Sequence, residues 1–376
     1  MIGDDGGAAL TAEFLDAGAF ADLLVGYCLE VQERQRVLIR SSTLATPLLL
    51  ELQRAVLERE AWPTFEVELP GQSRGFYAHA RDAQLDDFDD VAMAQAKAVD
   101  AVLAVQAPHD LRELAGVDPE RIARVARARR PVRERTLKKR WCSTLWPTPA
   151  GAEQAGLSLE RFAAVVRRAT FLDQDDPVRA WRGLSAFQDT LIARLRGARE
   201  IHITADGTDL RLGVRGRTWV NSDGRRNMPS GEVFTGPLET SAEGHVRFTI
   251  RSAPAGVEVD GVELELRGGE VVRAHAQVGD DYLQHALGTD EGSRRLGELG
   301  IGTNFGITQP VGAILFDEKI GGTVHLALGR SYPETGGKNR SALHWDLICD
   351  LRAGGELRVD GEPLLLDGRF VGLPAS

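Results

Sequence analysis

The chain has few of the features that mark secreted, disulfide-linked or membrane proteins. Its 376 residues include three cysteines, Cys28, Cys142 and Cys349, whose odd number and wide spacing indicate a reducing compartment rather than a disulfide scaffold. The N-terminus lacks the apolar core of a secretory signal. No apolar run approaches the roughly 20 residues that a membrane-spanning helix needs. We therefore expect a cytoplasmic protein without a disulfide framework.

The signature of one class of zinc proteases is also missing. The sequence contains no His-Glu-x-x-His motif, which excludes the single-zinc arrangement of thermolysin-like proteases. Glycine-rich segments near Gly300, Gly321 and Gly336 lack the spacing of a phosphate-binding loop. We interpret them as backbone that turns tightly around a metal cluster.

Positive charge is in short supply. The 45 Lys and Arg residues are outnumbered by 55 Asp and Glu residues, which gives a formal net charge of -10 and an isoelectric point near 5.4. Binding to nucleic acid or to anionic membranes relies on Lys and Arg that neutralise phosphates, so neither is an expected partner. The basic segment over residues 121–140 is interpreted as a solvated helix face.

The sequence pattern divides the chain into two parts. In residues 1–200, apolar runs alternate with helical periodicity, which predicts a three-layer α/β domain with a parallel sheet. Helices are expected over residues 11–31, 46–60, 119–128, 159–168 and 178–195, and strands over 37–39, 64–69 and 101–105. Residues 201–376 contain short β-prone runs separated by Gly and Asp, which predict a β-rich domain with hairpin turns at Asp260-Gly261 and Gly268-Gly269.

Three side chains that can bind metal lie in strand-like segments of this second domain. His344 and Asp346 are two residues apart, so in a strand they would project from the same face. His325 lies in an alternating segment, on the face opposite the apolar residues and beside small residues that leave open space. A lone strand histidine is more often a core or surface residue than a ligand. Two such elements joined by a glycine-rich loop favour metal binding.

Two glutamates complete the pattern. Glu232 follows a Pro-Ser-Gly turn and precedes a β-prone run, so its carboxylate is expected at the lip of a loop. Glu298 is expected at a similar junction, where a helix over residues 290–296 gives way to glycine-rich backbone. An isolated loop glutamate is usually a solvated surface acid. With two histidines and one aspartate, however, these acids give the oxygen-rich ligand set of a two-metal hydrolytic site.

Four segments of the C-terminal half resemble the motifs of a known family, the thermophilic aminopeptidases of the T and S type. These segments are residues 227–235, 298–304, 317–325 and 341–350, and a weaker similarity upstream extends the resemblance over most of the chain. The resemblance implies a homodimeric enzyme that hydrolyses N-terminal residues from short peptides, with residues 201–376 as its catalytic domain. It also implies two divalent metal ions per chain, with the ligands Glu232, Glu298, His325, His344 and Asp346, and an active-site tyrosine, Tyr332.

These residues suggest how the reaction would proceed. Zinc, cobalt and manganese all suit such a ligand set, so the sequence leaves the metal open. Glu298 is the first candidate for the base that takes the water proton, and Tyr332 would donate a hydrogen bond to the oxyanion or serve a structural role. The substrate amine would be recognised by an acid such as Asp317, Glu318 or Glu334, or by a metal ion.

Two other functions stay open at this point. A ring-cleaving dioxygenase on the same fold would need one ferrous ion held by two histidines and one carboxylate, which His325, His344 and Asp346 could supply. Retention of both glutamates favours a second metal ion and therefore the peptidase. A peptide-binding protein without catalysis is the other possibility. His245, where the family pattern suggests a small or polar residue, has no assigned role.

Overall fold

The computed structural model describes residues 13–373, which form two compact units. The N-terminal unit runs to Val178 and also contains Gly224–Met228, and the C-terminal unit comprises Arg179–Asp223 and the chain from Pro229 onward. Within the described residues, no helix has both the length and the apolar character that crossing a bilayer requires.

The described strands are, in chain order, Arg36–Ser42 (β1), Trp62–Glu68 (β2), Ala101–Gln106 (β3), Arg140–Leu145 (β4), Glu200–Ala205 (β5), Thr208–Gly213 (β6), Val220–Ser222 (β7), Asn227–Met228 (β8), Glu232–Thr235 (β9), Glu243–Arg247 (β10), Glu263–Arg267 (β11), Glu270–His275 (β12), Leu296–Gly302 (β13), Thr323–Gly329 (β14), His344–Asp350 (β15), Glu356–Val359 (β16), Glu362–Leu366 (β17) and Arg369–Phe370 (β18).

The α-helices are Ala17–Leu23 (α1), Thr46–Leu57 (α2), Gln72–His79 (α3), Asp82–Leu85 (α4), Asp90–Ala98 (α5), Pro119–Ala128 (α6), Arg130–Leu137 (α7), Pro149–Gln154 (α8), Leu159–Ala169 (α9), Pro177–Leu195 (α10), Asp280–Leu287 (α11) and Ile314–Asp317 (α12). A π-helix covers Leu24–Cys28, and single 3-10 turns cover Thr43–Ala45, Pro254–Gly256, Glu291–Arg294 and Pro333–Thr335.

The N-terminal unit is built on a five-stranded parallel sheet in the order β2-β1-β3-β4-β8. Val37, Leu38 and Ile39 of β1 are each at most 1% exposed, as expected for a central strand with both faces covered. The predicted α/β fold with a parallel sheet is confirmed.

The first helix differs from the one predicted over residues 11–31. Helix α1 begins at Ala17 because the Asp16 side chain caps it, and positions 11 and 12 lie outside the described residues.

The C-terminal unit consists of two antiparallel sheets. An eight-stranded sheet has the order β12-β11-β10-β6-β5-β16-β17-β18, and a five-stranded sheet has the order β15-β14-β13-β9-β7. Apolar side chains from both sheets form one buried core, with Ile203 and Leu210 contributed by the first sheet and Leu299, Leu326 and Leu347 by the second. The predicted β-rich second half is confirmed.

Two local predictions in this unit are wrong. The helix expected over residues 290–296 is a short 3-10 turn, and Leu296 already begins β13. The glycines of β13 form a strand because β9 and β14 supply hydrogen-bonding partners on both sides. Gly268-Gly269 does connect β11 to β12, but Asp260-Gly261 lies in the longer connection between β10 and β11.

Candidate metal centre and active site

The candidate ligands project from neighbouring strands of the five-stranded sheet. Glu232 begins β9, Glu298 lies in β13, His325 is at the centre of β14, and His344 and Asp346 are in β15. The register pairs residues of the same face across the sheet, because Glu298 is opposite Ala327 and Ala327 is opposite Asp346. The structure therefore brings all five side chains to one face.

Small residues on this face provide the space that the ligands occupy. Gly300 of β13 is directly opposite His325, and a Cβ atom at position 300 would lie 2.0 Å from Cε1 of the imidazole. Ala327 and Gly329 alternate with His325 along β14. The opposite face of the same strands carries Leu326 and Leu328, which are fully buried in the core. This alternation separates a polar face from the hydrophobic core.

The side chains of this face form a continuous cluster. Nε2 of His325 lies 3.4 Å from Oε2 of Glu232 and 3.5 Å from Oε1 of Glu298. Nε2 of His344 lies 3.5 Å from Oε2 of Glu298 and 3.5 Å from Oδ2 of Asp346. Glu298 thus places one oxygen beside each histidine. Its predicted loop location was wrong, since Glu298 is 4% exposed inside a strand.

Backbone carbonyl groups orient both imidazoles. Nδ1 of His325 lies 3.1 Å from the carbonyl oxygen of Glu318, and Nδ1 of His344 lies 2.8 Å from that of Arg330. A carbonyl oxygen accepts a hydrogen bond from a protonated Nδ1, which leaves Nε2 available as a ligand. Both Nε2 atoms face the carboxylates, so the two histidines are arranged as metal ligands commonly are.

Two residues enter the cluster that the sequence did not assign to it. Nζ of Lys319, which is 1% exposed, lies 2.5 Å from Oε1 of Glu232 and 2.5 Å from Oε1 of Glu318. An oxygen of Glu318 also groups with His325 and Asp346. The sequence suggests Glu318 only as a group that binds the substrate amine, and it assigns no role to Lys319. Both residues lie a few positions before the strand of His325, and this proximity is the only sequence signal for them. A lone Glu-Lys pair has no spacing that marks a metal site.

The donor geometry fits divalent metal ions. The described residues contain three groups of potential ligand atoms that lie within 4.8 Å of one another: Glu232, Glu298 and His325; Glu298, His344 and Asp346; and Glu318, His325 and Asp346. Buried polar atoms normally have a hydrogen-bond partner. Oε2 of Glu232 and Oδ1 of Asp346 are buried without one. Such oxygens are suited to coordinate a cation.

Burial and charge shift the pKa values of the cluster. Burial raises the pKa of Glu232 to about 7, against the attraction of Lys319. Burial and the charge of Glu318 raise the pKa of Asp346 to about 6. Burial opposes protonation of His325, but its hydrogen bond with Glu298 and the surrounding carboxylates outweigh that effect and raise its pKa to about 10. Without a bound cation, this cluster therefore holds protons at neutral pH.

Tyr332 lies at the edge of the cluster. Its ring makes edge contacts with His344 at a centroid distance of 5.2 Å and with Phe234 at 5.6 Å, and the residue is 37% exposed. Partial burial, followed by the charges of Glu298 and Asp346, raises the pKa of its hydroxyl group. Tyr332 therefore keeps its proton at neutral pH and can donate a hydrogen bond.

The other sequence candidates are not part of this cluster, although Asp317 lines the same cavity as His344 and Asp346. Asp317 is buried, and its carboxylate accepts hydrogen bonds from the amides of Val311 and Gly312 at 2.7 and 2.8 Å. Glu334 is exposed on the 3-10 turn after Tyr332. His245 is exposed on β10, in the other sheet of this unit.

Comparison with known proteins identifies the family of this chain. Residues 16–370 match the thermophilic metalloprotease family M29. The chain belongs to this family. It is 30% identical to aminopeptidase T of Thermus aquaticus over 302 residues, covering 70% of this chain and 73% of that protein. It is 29% identical to aminopeptidase 2 of Geobacillus stearothermophilus over an alignment of 408 positions, covering 93% of this chain and 96% of that protein.

A solved structure shows the same fold. Wild-type AmpT from Thermus thermophilus superposes with a TM-score of 0.84 at 26% identity, covering 94% of this chain and 98% of that one. Membership of the M29 family confirms the predicted resemblance and the prediction of a metallopeptidase, a hydrolase that uses a divalent metal. It does not favour the dioxygenase.

Proposed function

We propose that this protein is an aminopeptidase that removes N-terminal residues from short peptides with two divalent metal ions per chain. The observation that carries the proposal is the position of Glu298, whose two oxygens lie 3.5 Å from His325 and 3.5 Å from His344. A carboxylate that reaches two ligand groups can serve two neighbouring metal ions, as in a two-metal site. The relatives of this chain are named aminopeptidases, which supports the same substrate class.

Five residues would hold the metal ions in this proposal: Glu232, Glu298, His325, His344 and Asp346. Glu318 is a sixth candidate, because one of its oxygens groups with His325 and Asp346. Bound divalent ions would supply Lewis-acid chemistry, polarising the scissile carbonyl and lowering the pKa of a water molecule. The mixture of imidazole and carboxylate ligands suits zinc, cobalt and manganese.

Glu298 and Tyr332 are the proposed catalytic residues. Glu298 would accept the proton of the attacking water and return it to the leaving amine. At that step one of its two oxygens, which lie beside His325 and His344, would be free of metal to take the proton. Tyr332 would donate a hydrogen bond to the developing oxyanion, because its raised pKa keeps the hydroxyl group neutral.

A cavity beside β15 is the proposed place for the N-terminal side chain of the substrate. Its volume is about 300 Å³, and it is lined by His344 and Asp346, by apolar residues that include Ile250 and Ile314, and by the charged residues Arg251 and Asp317. An apolar wall next to two metal ligands would favour an apolar N-terminal residue.

The deciding experiment uses protein stripped with a chelator and then loaded with zinc, cobalt, manganese or ferrous iron. Aminoacyl-anilides and short peptides are the substrates, and bound metal is counted on the same samples. Release of single N-terminal residues that appears only near two ions per chain would support the proposal. One bound iron with oxygen uptake on hydroxylated aromatic rings, or peptide binding without cleavage, would refute it.

The assembly and location of the protein are further parts of the proposal. The family resemblance supports a homodimer, which sedimentation of the purified chain would test. The three cysteines are buried and no disulfide joins them, which supports a reducing compartment such as the cytoplasm. Fractionation of the source cells would test that location.

A further inference from the structure

The centre contains a buried lysine that the proposed reaction does not use. Lys319 follows Glu318 directly and is 1% exposed, although lysine is almost never fully buried without a charged partner. Its ammonium group contacts Glu232 and Glu318, at 2.5 Å each. Burial opposes the charge of Lys319, but the attraction of these two carboxylates outweighs it, so the pKa of the lysine is raised.

The two contacts take one oxygen from each acid. Oε1 of Glu232 accepts from the lysine, while Oε2 has no hydrogen-bond partner and lies 3.4 Å from Nε2 of His325. Oε1 of Glu318 accepts from the same lysine. Each acid is thus held through one oxygen, and for Glu232 the free oxygen faces the histidine of the centre.

The backbone around Lys319 is fixed to the segment that carries Glu232. The amide of Asn304 donates to the carbonyl oxygen of Lys319 at 3.0 Å. The side-chain amide of the same Asn304 donates at 2.8 Å to the carbonyl oxygen of Ser230, two residues before Glu232. Asn304 is fully buried. The lysine and the acid that it contacts are therefore held by one shared residue.

We propose that Lys319 is a positioning residue that occupies one oxygen of Glu232 and one of Glu318, so that each acid offers a single oxygen to a metal ion. This inference rests on the proposed function, since it concerns the same metal centre. Without the lysine, both carboxylates can rotate and coordinate through two oxygens, which changes the number of ligands around the metal. Residues that orient metal ligands typically contribute about 10–100-fold to metal affinity.

The sign of the effect separates positioning from simple charge repulsion. Lys319 is a cation beside a cation site, so removing its charge alone would tighten metal binding. Removing a residue that orients two ligands would weaken it. Lys319→Met keeps the length and apolar stem of the side chain and removes only the ammonium group, and Lys319→Gln keeps a hydrogen-bond donor.

The experiment measures metal affinity by competition with a chelator, and the visible absorption of the cobalt-loaded protein. We expect affinity to fall by about 10–100-fold in Lys319→Met and by less in Lys319→Gln. The cobalt bands of Lys319→Met should also weaken, because a higher coordination number lowers their intensity. Lys338→Met, the same change at an exposed lysine, should match the wild type.

Affinity that is unchanged or tighter in Lys319→Met would overturn the proposal. If that variant does not fold, a crystal structure of the metal-loaded wild type decides the question. Glu232 and Glu318 bound through one oxygen each, with Lys319 on the other, would support it, and either acid bound through both oxygens would overturn it. These readouts are independent of peptide cleavage, so a protein that binds metal but cleaves nothing would refute the proposed function and leave this test intact.

Discussion

The contact between Gly300 and His325 yields the sharpest prediction about this site. In Gly300→Ala, the new Cβ atom would lie 2.0 Å from Cε1, 2.3 Å from Nε2 and 2.7 Å from Nδ1 of the imidazole. Carbon atoms in ordinary contact are about 3.5–4.0 Å apart, so the ring must retreat by roughly 1.5 Å. That movement carries Nε2 away from the carboxylates and strains the 3.1 Å contact of Nδ1 with the Glu318 carbonyl.

The magnitude follows from the displacement. A misplacement of about 1 Å in a catalytic constellation can cost about 100-fold in rate, so kcat/KM for an aminoacyl-anilide should fall by about that factor or more. Overpacking in a buried site typically costs about 1–3 kcal/mol, which denaturant unfolding of the metal-free protein would measure. Metal affinity should fall as well, because His325 is one of the proposed ligands.

Gly183→Ala is the matched control. Gly183 lies inside α10, and a Cβ atom there would meet nothing within 4 Å. The same substitution should therefore stabilise the protein by about 0.5–1 kcal/mol and leave activity unchanged, since it removes backbone freedom from the unfolded chain. A Gly300→Ala variant with wild-type metal affinity and activity would refute the role assigned to His325.

Three more predictions follow from the same cluster. Glu298→Gln should lower kcat by about 10²–10⁴-fold in steady-state assays, because a neutral amide cannot accept the water proton, and full activity would exclude Glu298 as the base. Tyr332→Phe should lower kcat by about 10²–10³-fold with little change in KM, and an unchanged kcat would make this tyrosine structural. Metal-free protein should lose thermal stability as pH rises from about 5 to 9, because the folded chain binds protons on Glu232 (pKa about 7), Asp346 (about 6) and His325 (about 10) that the unfolded chain releases. Melting curves in chelator would show this trend, added metal should reverse it by displacing the protons, and rising stability over this range without metal would contradict it.

A charge-matched control accompanies the first of these predictions. Glu334→Gln makes the same change at an exposed acid two residues after Tyr332 and should retain wild-type activity. A comparable loss in both variants would show that net charge near the site, rather than proton transfer by Glu298, determines the rate.

Local pattern in the sequence was enough to predict much of this protein. The alternation along Thr323–Gly329 put His325 on the face opposite Leu326, and the spacing of His344 and Asp346 put both on one face, because side chains alternate along any strand. Apolar runs such as Val37–Ile39 predicted the parallel sheet for the same reason. These features depend only on neighbours in the chain.

The location of Glu298 could not be predicted in this way. Its glycine-rich surroundings suggest a loop, and they form a strand only because β9 and β14 lie on either side. Gly300 is needed there because the imidazole of His325, 25 positions later, occupies the space of its missing side chain. Propensity is a weak guide where such tertiary contacts decide the structure.

The composition of the centre also depended on the tertiary structure. Lys319 contacts Glu232 across 87 positions of sequence, and His325 contacts Glu298 across 27. The raised pKa values of Glu232 and Asp346 arise from burial, which no single segment encodes. The sequence by itself determined which residue types and strand faces could bind metal, and the folded chain decided which of them meet, because distance and desolvation between remote segments exist only after the sheets have packed.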